Sequence, residues 1–243
     1  MSWQAMRAMA AAPPRLVVAD GTCEGLKWLA LALMTGDHVN KYLFNATLPV
    51  LFEAGRLALP IFVFVLACNL ARPGDVPGRY RRSMLRLGVF GALATLPFMA
   101  LGGLYAGFWP LNVMFMLLVL TATACLLERT GALPWVGAGA VFVLGGSLVE
   151  YCWPAVALGL AVWSYAKRPT WTAAALALLA CAALRVFNGN LWAMAALPLL
   201  ALATRVDLRL PRLRWAFYAY YPLHLAVLWM IRIPMGRAGY LFL

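Results

Sequence analysis

The residues best able to do chemistry in this 243-residue chain are a few ionisable side chains set inside long apolar runs: Lys27, Asp37, His38, Arg56 and His224. Placing such a group at the centre of a membrane helix costs about 2.5–3.5 kcal/mol on insertion scales, so each one raises a functional hypothesis by default. Lys27 and His38 are eleven residues apart. On a helix, eleven steps of about 100° return to within ~20° of the starting face and rise about 16 Å. A cation near one surface therefore shares a face with an imidazole about half a bilayer deeper. That suits an extended ligand whose anionic end stays at the mouth while its reactive end reaches into the helices. Of all side chains, an imidazole is best matched to proton abstraction near neutral pH. Asp37 lies about 100° round the helix from His38, so it orients that ring only through side-chain reach, water or unwinding near Gly36. A structural Asp–His pair at the helix end is the competing reading.

In Gly55-Arg56-Leu57-Ala58-Leu59-Pro60 the arginine sits one turn before a proline. Its guanidinium is suited to a developing oxyanion or to a carboxylate, with Glu53, three residues away, the evident structural partner. Arg56 enters from the outer side at a depth like that of His38, so the two are expected to meet. Pro60 removes a backbone donor and opens the helix wall at a cavity. His224 follows a helix-kinking proline in Phe217-Tyr218-Ala219-Tyr220-Tyr221-Pro222-Leu223-His224-Leu225, where a neutral histidine donating to a neighbouring helix is the favoured reading. Two histidines without a third ligand at usable spacing predict no metal. Asn69, Asn112, Glu150 and Arg185 read as contacts between helices or helix ends rather than chemistry.

The elements that must hold these residues are legible in the composition. Of the chain 65% is hydrophobic and only 12% charged, with 20 Lys+Arg against 8 Asp+Glu, and mean hydropathy is +0.83. Soluble domains run nearer ~25% charged. The apolar residues come in runs of about twenty, long enough to cross ~30 Å of hydrocarbon. The runs at 25–44, 49–70, 84–102, 110–127, 135–150, 153–166, 171–187, 190–204 and 215–233 predict an all-α polytopic membrane protein with about nine transmembrane helices. The short pair at 135–150 and 153–166 is also readable as re-entrant. Residues 1–22 read as a flexible cytoplasmic tail and 23–243 as one transmembrane domain. Five cysteines without CxxC spacing read as small packing residues.

The basic residues fall in alternate connections: Arg72, Arg79, Arg81 and Arg82 in 71–83, Arg129 in 128–134, Lys167-Arg168, and Arg205, Arg209, Arg212 and Arg214 in 205–214. Gly102 to Trp109 and Asn188-Gly189-Asn190 carry none. The positive-inside rule then predicts a cytoplasmic N-terminus and an external tail from Arg232 to Leu243. Orientation in the bilayer thus accounts for the net charge of +12, and nucleic acid is not expected as a partner.

Three segments together, Leu26-Lys27-Trp28 through Asp37-His38, Gly55-Arg56 through Pro60-Ile61-Phe62, and Phe217 through Tyr221-Pro222-Leu223-His224-Leu225, resemble the TraX family. These are integral-membrane acetylases of conjugative pilin, the TrbP-type transfer proteins among them. The likeness covers both ends of the chain, and residues 100 to 210 match only in being hydrophobic. More distantly, Lys27 and His38 with ten residues between them resemble the basic-x10-His signature of membrane acyltransferase-3 proteins.

The resemblance implies a bacterial inner-membrane acyltransferase that uses acetyl-CoA as co-substrate. By this analogy His38 is the catalytic base or carries a transient acyl group, Asp37 supports the imidazole, and Arg56 supports the thioester oxygen. Lys27 would lie beside the coenzyme A phosphates, and Tyr221 and His224 are carried over as substrate-side motif positions. The implied acceptor is a pilin subunit's N-terminus on the outer side; in a cyclic-pilin system a glycan, a lipid or another protein takes its place. Two other readings are a non-enzymatic factor for pilus assembly, which would not need the imidazole, and a small-solute transporter. The odd helix count and lack of an inverted repeat count against the transporter.

Overall fold

In a computed structural model, which describes residues 13–213 and 215–242, every regular element is a helix. The order is α1 (Asp20–Leu43), α2 (Pro49–Gly55), α3 (Ala58–Ala71), α4 (Val76–Ala100), α5 (Val113–Leu127) and α6 (Ala132–Ala140). A π segment, Val141–Gly145, and one turn, Gly146–Leu148, extend α6. Then come α7 (Cys152–Lys167), α8 (Trp171–Ala183), α9 (Arg185–Asn188), a 3-10 turn at Trp192–Ala195, α10 (Ala196–Ala203) and α11 (Ala216–Arg237). The stretches Pro49–Ala71, Val76–Ala100 and Trp171–Asn188 are long and apolar enough to cross a membrane. Each of the nine apolar runs expected from sequence is helical over most of its length.

The departures from the expected boundaries have local causes. Helix α4 starts two turns early because the Asp75 side chain accepts the Gly78 N–H at 2.9 Å and Pro77 occupies the first turn. Arg79, Arg81 and Arg82 therefore lie on that helix rather than in a loop. The Gly78 N–H and the neighbouring Arg82 hold the exposed Asp75 carboxyl below its usual range. The run at 49–70 breaks between α2 and α3, because Pro60 has no N–H to offer the Arg56 carbonyl four residues back and its ring crowds that carbonyl. The first twelve residues of the expected tail, and Arg214, lie outside the described residues. Residues 13–22 are not a free tail: α1 begins at Asp20, and the Tyr165 hydroxyl donates to the Pro14 carbonyl.

Helix α1 is central. Its Ala30, Leu31 and Met34 pack with Ile61 and Phe64 of α3, Leu87 and Ala94 of α4, and Leu225 and Leu228 of α11 in one apolar cluster. A second cluster joins Val63 of α3, Met116 and Leu120 of α5, and Val156 and Leu158 of α7. Gly159 permits the α5–α7 approach, since a Cβ there would lie 2.3 Å from Leu120 Cδ2. The outer surface keeps large apolar side chains such as Leu93, Leu96, Leu133 and Leu179 exposed. A shell of this kind suits hydrocarbon.

Hydrogen bonds sort the connections into two ends. At one end Asp20 pairs with Arg72, the Thr22 hydroxyl donates to Val206 O at 2.6 Å, and Glu128 accepts from both Tyr80 and Lys167. The start of α1 is thereby gathered with the basic connections. At the other end Asn40 exchanges bonds with Leu48, Trp109 donates to Ser147 O at 2.8 Å, and Arg232 donates to Leu101 O at 2.8 Å. Asn45 reaches Leu241 O there as well, so the last described turn of the chain lies at the end opposite the start of α1.

Candidate active site

The two histidines, 186 residues apart, meet. His38 Nδ1 lies 2.7 Å from His224 Nε2. The rings are within 9° of parallel with centroids 5.0 Å apart, so they lie edge to edge with the bond in their common plane. His224 Nδ1 is 3.0 Å from the Tyr220 carbonyl oxygen, which can only accept. In the neutral pair this fixes every proton: His224 donates from Nδ1 to the carbonyl, its Nε2 accepts from His38 Nδ1–H, and His38 Nε2 keeps its lone pair. No described residue hydrogen-bonds that nitrogen. Tyr220 stacks on the other side of His224 at 5.2 Å and its hydroxyl meets Thr35 Oγ1 at 2.8 Å, which holds the second ring in place from α1.

A second buried group flanks the first. Arg56 and Asp37 form an ion pair with side chains only 10% and 12% exposed. Arg56 also donates from Nε to Phe52 O at 3.0 Å and from Nη1 to Asn188 Oδ1 at 3.3 Å. Three of its five N–H groups are thus committed and two are left for a ligand. The break between α2 and α3 sets this direction. Gly55 is what lets the pair close, because a Cβ on it would sit 2.4 Å from the Asp37 Cβ.

These findings revise three expectations. The partner of Arg56 is Asp37, not Glu53, because the helix break turns the guanidinium away from α2 and onto α1. Asp37 is consequently committed to Arg56, and the imidazole of His38 is held by His224 instead. His224 itself stands behind His38 and is not among the residues that line the cavity.

That cavity, of about 450 Å³, joins the two ends of the site. Lys27, Arg72, Arg86 and Arg212 line one end, Leu31, Met34, Leu59 and Leu66 the middle, and Asp37, His38, Arg56 and Tyr221 the other. The volume falls within the ~300–1,000 Å³ of small-molecule sites. Lys27 and His38 do share a face and a cavity, as their spacing predicts. Lys27 is paired with Glu24 and its Nζ lies 4.2 Å from the Phe217 ring centre.

Two residues of the reactive end were missed from sequence. Asn188 is buried and holds Arg56 from 132 residues away, a contact with no local signal. Glu150 lines the cavity from a turn whose following residue, Tyr151, has φ 59°. Leu111 anchors that turn, donating to Leu148 O at 2.8 Å and accepting from Glu150 N at 2.9 Å. A non-glycine residue held in the left-handed region is a feature concentrated at functional sites. Among the described residues no three His, Cys, Asp or Glu side chains cluster as metal ligands would.

Were His38 the base of a reaction, removing the His224 ring should lower turnover about 10- to 100-fold with little change in KM, a cost typical of losing a group that orients a reactive one. His224→Gln, whose amide oxygen still accepts from His38 Nδ1–H, should recover most of it; equal losses for His224→Ala and His224→Gln would remove the tautomer argument. Steady-state kinetics on the two purified variants give the comparison.

A family model described as TraX protein matches residues 22–232, through the middle of the chain as well as both ends. No curated protein and no solved structure matches.

Proposed function

The chain belongs to the TraX family, which is associated with conjugative pilin processing, and from that premise we propose that it is a membrane acyltransferase moving acetyl from acetyl-CoA to the N-terminal amine of a pilin subunit or a related external acceptor. The observation that carries this reading is one continuous cavity with cations at one end and a lone-pair nitrogen of a buried histidine pair at the other. The basic end, gathered with the start of α1, is cytoplasmic by the positive-inside rule. With nine spans the His38 end lies toward the outer face, where the bacterial inner membrane presents pilin.

The thioester of the donor lies between Arg56 and His38. The acceptor amine attacks the carbonyl carbon while His38 Nε2 takes the amine proton, and the two uncommitted Arg56 N–H groups hold the developing oxyanion. The tetrahedral intermediate collapses, the C–S bond breaks, and the imidazolium returns the proton to the departing thiolate. One amide and one free thiol result, and the protein ends as it began. Tyr221, buried beside His224 at 5.5 Å between ring centres, walls the reacting end.

A test with purified protein in sealed vesicles separates this from a non-enzymatic assembly role. Acetyl-CoA enclosed on the side of the basic connections should acetylate a hydrophobic peptide with a free N-terminal amine supplied on the opposite side. Vesicles that pass no acetyl group to the peptide under any sidedness would refute the acyltransferase.

A further inference from the structure

Transfer to an amine needs a second base. A chain-terminal amine has an ordinary pKa of about 7.7–8.0, so near neutral pH it arrives mostly as an ammonium, with no lone pair to attack with. His38 takes the proton released as the C–N bond forms, and the proton that the ammonium brings must go elsewhere. Four carboxylates line the cavity: Asp20, Glu24, Asp37 and Glu150. Asp20 and Glu24 are paired at the basic end, and Asp37 is spent on Arg56. Glu150 forms no ion pair among the described residues. Its carboxylate accepts the Val113 N–H in the first turn of α5, and the Tyr221 hydroxyl is turned to the same N–H, which puts Glu150 beside the reacting end. One N–H cannot satisfy two oxygens. The only sealed, unpartnered side-chain oxygen among the described residues is Glu24 Oε2, so the second oxygen of Glu150 keeps open surface in the cavity wall.

The surroundings and the backbone fit a working carboxylate. Asp37, Lys41 and Arg56 are the charged groups that face it, and the phenols of Tyr42, Tyr151 and Tyr221 stand around it. The two residues after it, Tyr151 and Cys152, are both held at positive φ, 59° and 44°, a local cost that concentrates at functional sites. A carboxylate beside the head of α5 also suits the helix dipole. An amide oxygen would accept the Val113 N–H as well, whereas only a carboxylate can take up a proton.

We infer that Glu150 is the anchor and first base for the acceptor amine. The incoming ammonium donates to its open oxygen, and in this buried setting the pair resolves to a carboxylic acid and a neutral amine, because burying two charges is costly. The nitrogen, its lone pair restored, attacks the thioester carbon while His38 Nε2 takes its second proton and passes it to the departing thiolate. The proton on Glu150 leaves to water with the product. Ammonium and thioester thus give amide, thiol and one released proton. The inference rests on the acyltransferase reading above and deepens it: the residue selects acceptors that arrive as a cationic amine, and a hydroxyl acceptor gains nothing from it.

Equilibrium binding to the full-length protein in nanodiscs tests the anchor apart from any transfer. The probes are a hydrophobic peptide with a free N-terminal amine and the same peptide with that amine replaced by hydrogen. Near pH 7 the amine peptide should bind about ten times more tightly, as a charged hydrogen bond requires. Glu150→Gln should erase the preference and leave binding of the other peptide unchanged, which also shows that the variant is folded. The proton transfer is read from kcat/KM for acetyl transfer. The ratio of Glu150→Gln to wild type should be about one tenth near pH 7 and approach one by about pH 9, where the amine sheds its proton unaided. A ratio that does not change with pH would overturn the base by making Glu150 merely structural. Equal affinity of wild type for the two peptides would overturn the anchor even if acetyl transfer is observed, and so would a preference that survives Glu150→Gln. A preference that depends on Glu150, in a protein that transfers no acetyl group, would uphold the amine site and refute the acyltransferase instead.

Discussion

Replacing His38 with alanine should lower acetyl transfer about 10²- to 10⁴-fold, the range that a positioned general base contributes, while the protein still inserts and folds. The expectation follows from the proton inventory of the pair. The Tyr220 carbonyl dictates the tautomer of His224, His224 dictates that of His38, and the remaining nitrogen of His38, a residue of the cavity wall, has no partner among the described residues. The other histidine, His224, stands behind His38 and is not among the residues lining the cavity, so it is not placed to take over the proton. The measurement is the turnover of purified wild-type and His38→Ala protein with acetyl-CoA and a free-amine peptide, beside a check of thermal unfolding in detergent. Unfolding should shift only moderately, because the variant loses one hydrogen bond and leaves His224 Nε2 a buried acceptor without its donor, a cost of about 1–3 kcal/mol. Turnover within a few-fold of wild type would take His38 out of the chemistry.

The second large effect is on stability. Asp37→Ala leaves the Arg56 guanidinium buried without its anion, and breaking a buried pair from one side typically costs about 3–5 kcal/mol. We expect the variant to accumulate poorly and to unfold at a clearly lower temperature in detergent. The double variant Asp37→Leu with Arg56→Leu removes both charges and should restore much of the stability, because apolar replacement of a whole buried pair is often neutral. Its transfer activity should stay lost, since no N–H groups remain for the oxyanion. If Asp37→Ala kept wild-type stability and lost only activity, Asp37 would instead act on the imidazole, and the ion pair would count for little.

What was legible in the sequence is what depends on periodicity. The eleven-residue step from Lys27 to His38 fixes a shared helix face, and the structure puts both in one cavity. Apolar run lengths located the helices because hydrocarbon thickness leaves little freedom in them. The partners of the ionisable groups were not legible, for a physical reason. A side chain's own helix limits its reach to residues three or four away, and that logic offered Glu53 to Arg56. The actual partners, Asp37, Asn188 and His224, come from other helices whose approach depends on details such as Gly55 and the break before Pro60. Pro60 did signal an opening at the right place, since a missing N–H disrupts a helix wherever it occurs. Glu150 read as glue between helices, because nothing in its neighbours announces that Tyr151 takes up a left-handed backbone.

The most direct test of an acyl group delivered to pilin is the intact mass of mature pilin from cells with the wild-type gene, with the gene deleted, and with His38→Ala. The account predicts pilin heavier by one acetyl group in the first strain only. The same mass in all three would contradict it by removing pilin as the acceptor, and acetylated pilin in the deletion strain would assign the modification to another protein.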